Sequence, residues 1–115
     1  MNDVTIWHNP RCSKSRQTLN LLEARGIAPR IRLYLQDPPD AAEIAAVAAR
    51  LGTGAAGMMR LKEARAKALG LGRDTPEDRL IAAMAEDPAL IERPVVLAGG
   101  HAALGRPPEA VLAIL

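Results

Sequence analysis

The sequence predicts an α/β fold built on a four-stranded mixed sheet with flanking helices and a helical insertion. Three observations predict it. Short apolar runs with strand character stand near both ends of the chain, helix-period patterns fill its middle, and a glycine pair separates the last two apolar runs. The order reads βαβ, helices, then ββα. A length of 115 residues fits one domain with a single core, residues 1–115, carrying the insertion at about 40–90.

Val4-Thr5-Ile6-Trp7 reads as a short buried strand. Ser13 to Arg25 follows as a helix with Leu19 and Leu22 one turn apart, stopped by Gly26. Ile31, Leu33 and Leu35 alternate with Arg32 and Tyr34 at period two, which predicts a second strand joined to the first through a helix. A βαβ unit of this kind is parallel and right-handed.

Asp37-Pro38-Pro39 breaks that strand, and Asp40 with Glu43 three residues later forms a capping pair ahead of Ile44, Val47, Ala48 and Leu51. Gly52 ends the helix. A Gly/Ala stretch leads to Met58-Met59-Arg60 and a short helical segment around Glu63 to Leu69. Thr75 caps a further helix with Pro76 at its first position and Glu77 and Asp78 near its positive end. Leu80, Ile81 and Met84 give its apolar stripe, and Pro88 ends it. Val95-Val96-Leu97 and Ala102-Ala103-Leu104 flank Gly99-Gly100 as an antiparallel hairpin, and Pro107-Pro108 opens a final helix. This order is the thioredoxin-like plan with an insertion between its halves. In that plan Arg93-Pro94 precedes the third strand, where an X-Pro bond favours trans by only about 0.5–1 kcal/mol and a cis peptide is accessible.

Composition narrows function. With 49% hydrophobic and 24% charged residues the chain reads as globular rather than disordered. A net charge of +2, scattered arginines and only two aromatic residues, Trp7 and Tyr34, argue against nucleic-acid binding. The N-terminal residues enter a strand without a basic region, a long apolar run or a cleavage site, so a cytoplasmic protein with no membrane association is expected. A monomer is expected.

Cys12 is the only cysteine, and it lies in His8-Asn9-Pro10-Arg11-Cys12-Ser13-Lys14-Ser15-Arg16, between the first strand and the first helix. An internal disulfide is therefore impossible. A free thiol with a pKa of about 8.5 is only a few per cent ionised at neutral pH, whereas helix N-termini and cations lower it. Lowering it by about two units needs roughly 2.7 kcal/mol of preference for the thiolate. A helix terminus supplies only about 0.3–1 kcal/mol, so further donors or cations are required. His8 and Ser15 are the candidate thiolate-stabilising residues nearest in sequence, Ser15 as a donor to the sulfur.

Other chemistries fit less well. His8 and Cys12 have the spacing of a metal-ligand pair, but a structural zinc site needs four ligands and the other histidine is His101, far along the chain; no metal is expected. The Cys12-x-x-Ser15 spacing is similar to one-cysteine glutaredoxins. Cysteine phosphatases place an arginine six residues after the cysteine, where this chain has Thr18.

His8-Asn9-Pro10-x-Cys12, Tyr34-Leu35-x-x-Pro38-Pro39, Met59-Arg60-Leu61-Lys62-Glu63, Arg93-Pro94-Val95-Val96 and Gly105-Arg106-Pro107 together resemble the glutaredoxin-dependent arsenate reductase family. The resemblance runs from Val4 to the C-terminus. It implies Cys12 as the catalytic nucleophile toward arsenate, with Arg60, Arg93 and Arg106 as the oxyanion-binding residues. Guanidinium groups are planar, permanently charged donors suited to such an anion, and they relieve its repulsion from a thiolate at roughly 1.5–3 kcal/mol per charge-assisted bond. A chain with one cysteine needs an external thiol, and the resemblance implies glutathione as co-substrate and glutaredoxin as partner, with no bound cofactor.

Lys14 stands where relatives commonly carry a small residue, and Glu92 sets a carboxylate beside Arg93. Two rival readings accompany the resemblance. One is glutathione-dependent thiol exchange on another substrate. The other is a polymerase-binding regulator of the Spx type, whose Cys-x-x-Cys switch is missing here because position 15 is serine.

Overall fold

The computed structural model describes residues 3–115. They fall into two compact units: the chain up to Asp37 together with Arg93–Leu115, and the intervening Pro38–Glu92.

The first unit is built on a mixed sheet. Strand β1 (Val4–Trp7) leads through helix α1 (Ser13–Ala24) to β2 (Arg30–Arg32), and the chain returns as β3 (Val95–Ala98) and β4 (His101–Leu104). The strand order is β2-β1-β3-β4, with β1 parallel to β2 and antiparallel to β3, and β3 antiparallel to β4. This is the thioredoxin-like arrangement. Ile6 stands in register with Val96, and Val96 with Ala103, so one sheet face carries Val4, Ile6, Val96 and Ala98. That face packs with Leu22 of α1, Ile27 and Val111 into a buried cluster. Each fully buried aliphatic side chain of this kind stabilises the fold by about 1.5–3 kcal/mol. Helix α1 closes where Gly26 N–H donates to the Glu23 carbonyl and Ile27 N–H to the Leu22 carbonyl, both at 3.0 Å, the paired bonds of a Schellman end. Gly99 and Gly100, with φ of 54° and 86°, make the β3–β4 turn in the conformation that needs positive φ at both centres. Pro108–Ile114 ends the chain as a 3₁₀ segment against α1 and β4.

The second strand differs from expectation. It stops at Arg32 instead of running on through Leu35, and Ile31, Leu33 and Leu35 are 46%, 39% and 44% exposed, while Tyr34 is buried. The cause is the edge position of β2 and the turn that follows it. Gln36 and Asp37 N–H both donate to the Leu33 carbonyl at 2.9 Å, and Arg32 Nε donates to the Asp37 carbonyl at 3.0 Å. This turn takes the chain out of the sheet, and Tyr34 takes the interior place. The Arg32 guanidinium lies 5.5 Å from the centre of the Trp7 ring, a cation–π arrangement.

The second unit holds α2 (Ala41–Leu51), a 3₁₀ segment at Ala55–Met58, α3 (Ala64–Ala68), α4 (Glu77–Glu86) and a 3₁₀ turn at Pro88–Leu90. The expected capping pair is present: Glu43 N–H donates to Asp40 Oδ1 at 2.8 Å and Asp40 N–H to Glu43 Oε1 at 3.1 Å. Helices α2 and α4 pack on each other and on the 3₁₀ segment, burying Ile44, Val47, Met58, Leu80 and Met84. Thr75 does not cap α4. Pro76 occupies the cap position, and Thr75 Oγ1 accepts from Gly72 N–H at 2.9 Å, closing the turn before it. Met59 and Ile91 form an antiparallel bridge, flanked by Arg60 N–H on the Leu90 carbonyl and Glu92 N–H on the Met58 carbonyl, each at 2.7 Å. No helix among the described residues is long and apolar enough to cross a membrane.

Candidate active site

Cys12 is the N-cap of α1, in extended backbone with φ −93° and ψ 123°, and is partly exposed. A turn delivers it there. Cys12 N–H donates to the Asn9 carbonyl at 3.0 Å, and Arg11 N–H donates to Asn9 Oδ1 at 3.0 Å. Asparagine first and proline second are the residues this geometry favours.

An N-cap position normally holds an oxygen acceptor for the orphan amides of the first helical turn. Here it holds sulfur. Partial burial of Cys12 opposes ionisation; the backbone N–H of Ser15, the charge of Arg93, the backbone N–H of Lys14 and a hydrogen bond from the Arg93 side chain favour the thiolate and prevail, holding the thiol pKa below its ordinary value. No tight cap closes on the sulfur. The amides act chiefly on its charged form, which is the behaviour an activated nucleophile requires.

The histidine and serine serve the loop. Ser15 is buried, and its hydroxyl lies 2.6 Å from His8 Nδ1 while accepting from Asn9 N–H at 3.0 Å. The hydroxyl therefore ties His8 to Asn9, and the group of Ser15 that favours the thiolate is its backbone amide. His8 is also buried, and desolvation followed by the nearby Arg16 charge lowers its pKa. Both effects favour the neutral imidazole. With an N–H donor already on the serine oxygen, the arrangement suits a hydroxyl proton directed to an unprotonated Nδ1.

Arg93 and Arg106 join Cys12 in the first unit. Arg106 Nη1 donates to the Arg93 carbonyl at 3.0 Å, so the residue whose guanidinium reaches the sulfur is braced by the second arginine. The Arg93-Pro94 peptide is cis, as is Arg106-Pro107. Arg60 belongs to the second unit, where Nη2 pairs with Glu63 Oε2 at 3.0 Å and Nη1 donates to the Ala89 carbonyl at 3.2 Å. No group of three or more His, Cys, Asp or Glu residues among the described residues forms a metal site.

Gly105 sets how closely these segments approach. Its N–H donates to the Pro94 carbonyl at 3.0 Å, and a Cβ there would overlap Thr18 Oγ1 of α1 and lie 2.7 Å from Pro94 Cγ. Both neighbours are buried, and Thr18 is held by its hydroxyl bond to the Lys14 carbonyl at 2.8 Å. Gly105→Ala is expected to destabilise the protein by about 1–3 kcal/mol, the range for overpacking, and to raise the thiol pKa by parting α1 from the Arg93 segment. Thermal melting and thiolate titration check both effects.

Two contributors had only weak sequence signals. Asn9 is visible as the first residue of an Asn-Pro turn, and Arg16 as an arginine four residues into the helix after the cysteine. Arg16 Nη1 donates to the Pro10 carbonyl at 2.8 Å.

The ArsC family model matches residues 7–114. An arsenate reductase of Neisseria meningitidis serogroup A is 51% identical over 119 aligned residues covering all of both chains. The uncharacterized protein YfgD of Escherichia coli K12 is 50% identical, over 97% of this chain and 96% of its own. Among solved structures, an arsenate reductase from Vibrio cholerae has a TM-score of 0.94 at 50% identity, covering 99% of this chain and 98% of that one.

Proposed function

From the fact that this chain belongs to the ArsC family, we propose that it reduces arsenate to arsenite through the Cys12 thiolate, with glutathione and glutaredoxin supplying the electrons. The carrying observation is the Arg93 guanidinium on a sulfur whose pKa is lowered, with Arg106 braced against Arg93. The names of the full-length relatives support the substrate.

The thiolate attacks arsenic and displaces one oxygen as water, giving an As(V) thiol ester on Cys12. Glutathione then supplies the second thiol. Two sulfurs become one mixed disulfide, Cys12–S–S–glutathione, while arsenic gains two electrons and leaves as arsenite. A glutaredoxin thiolate attacks the glutathione sulfur and releases Cys12 as thiolate. Arg93 and Arg106 bind the oxyanion and offset its repulsion from sulfur, and Arg60 is the third such residue by family resemblance. His8 and Ser15 keep the loop in register. The protein acts as a cytoplasmic monomer without a bound cofactor.

The test is a reconstituted assay with arsenate, glutathione, glutaredoxin, glutathione reductase and NADPH. Arsenite release with matching NADPH consumption is expected, lost when arsenate or glutathione is omitted. Turnover on a glutathionylated substrate with none on arsenate would overturn the reading and favour thiol exchange.

A further inference from the structure

The Pro10–Arg11 peptide is the middle peptide of the Asn9–Cys12 turn. A turn with an i to i+3 bond has two common forms that differ by a flip of this peptide, and the second requires positive φ at its third residue. Among the described residues none other than glycine has positive φ, so Arg11 holds the first form. Both ends of the flipping peptide are secured: its N–H by Asn9 Oδ1 at 3.0 Å and its carbonyl by Arg16 Nη1 at 2.8 Å. Arg16 reaches back from the helix that Cys12 caps, and its own backbone N–H donates to the Cys12 carbonyl at 3.0 Å. One residue thus touches the chain on either side of Arg11.

We propose that Arg16 is a positioning residue for the thiol site, locking the Pro10–Arg11 peptide so that Cys12 stays aimed at the Arg93 guanidinium and the helix amides. The inference rests on the reading of Cys12 as a thiolate nucleophile, yet it concerns the sulfur alone and needs no arsenate. Arg16 has a second effect in the same sense. Beside the larger effect of burial, its charge also disfavours a protonated His8, which favours the neutral imidazole that can accept the Ser15 hydroxyl. The other charged and titratable groups around the turn are Arg93 on the sulfur, Arg106 on the Arg93 carbonyl, Arg32 whose carbonyl accepts from His8 N–H, and Arg11 and Lys14 on the loop and helix start.

With a single cysteine in the chain, alkylation by iodoacetamide across a pH series reads Cys12 directly. Arg16→Met removes the bond and the charge, while Arg16→Lys keeps the charge and a donor of similar reach. Arg16→Met is expected to slow alkylation at neutral pH by roughly three- to tenfold, an inflection raised by about half to one unit. Arg16→Lys should restore most of the rate. In NMR titrations the His8 pKa should rise in Arg16→Met and not in Arg16→Lys. An unchanged alkylation profile in Arg16→Met overturns the proposal. So does equal slowing in both variants with a matching fall in melting temperature, which would make Arg16 a fold-stabilising residue only. Failure of the arsenate assay with these alkylation results intact would remove the proposed reaction and leave the positioning role standing.

Discussion

Cys12→Ser is expected to fold like the parent protein and release no arsenite above background. The side chain is partly exposed and caps α1 without a tight hydrogen bond, so an oxygen in its place costs no core packing and is itself a favoured N-cap. The chemical loss is complete. A serine hydroxyl is not ionised at neutral pH even beside Arg93, and it cannot form the mixed disulfide through which two electrons reach arsenic. No second cysteine exists to substitute. Melting temperature and arsenite release, measured on one preparation, separate the two outcomes. Residual turnover above background would show that the nucleophile lies elsewhere.

Arg93→Ala has the next largest expected effect, because one side chain serves the sulfur twice, by charge and by hydrogen bond. It is also proposed to bind the oxyanion, so its removal acts on both reactants. Loss of a single preorganised donor to a developing anion costs about 10²–10³ in rate, and the variant should fall in that range at neutral pH. The sign of the pH dependence follows from the lowered thiol pKa. Activity requires the deprotonated sulfur, so it rises with pH through that value and levels off above it. In Arg93→Ala the inflection moves up toward the ordinary thiol value, and the deficit narrows at alkaline pH as the sulfur ionises unaided. Arg93→Lys returns charge without the planar fork and should recover only part of the loss. A pH-independent deficit would place Arg93 on the oxyanion alone.

Much of this architecture is legible in the sequence because it is specified by local chemistry. Asp40 and Glu43 announce their capping box, and Gly99-Gly100 its hairpin, through residue types that act within a few positions of themselves. The second strand failed for a reason of the same kind. Period-two alternation runs on through Leu35, but the strand ends at Arg32, because the Leu33 carbonyl accepts from Gln36 and Asp37 N–H and turns the chain out of the sheet. Thr75 shows the limit of cap signals: its hydroxyl served the preceding turn through Gly72.

At the site, Cys12 was legible from its loop-to-helix setting, whereas the pairing of Arg93 with its sulfur was not. Those residues are distant in the chain, and only the family resemblance named Arg93 and Arg106 among many arginines. The role of Ser15 was half legible. Its position three residues into the helix pointed to the sulfur, but the amide faces sulfur while the hydroxyl serves His8. The Arg16 contact depends on the form of a single turn, which residue types favour without enforcing.

Helix amides and Arg93 outweigh the cost of partial burial at Cys12 and hold its thiol pKa below the ordinary value, and the whole mechanism depends on that balance. Ultraviolet thiolate absorbance of the intact protein, followed across pH beside Arg93→Ala with Cys12→Ser as blank, tests it most directly. An inflection below that of a free thiol is expected in the parent protein, and a higher one in Arg93→Ala. An inflection at or above the free-thiol value in the parent protein would contradict it.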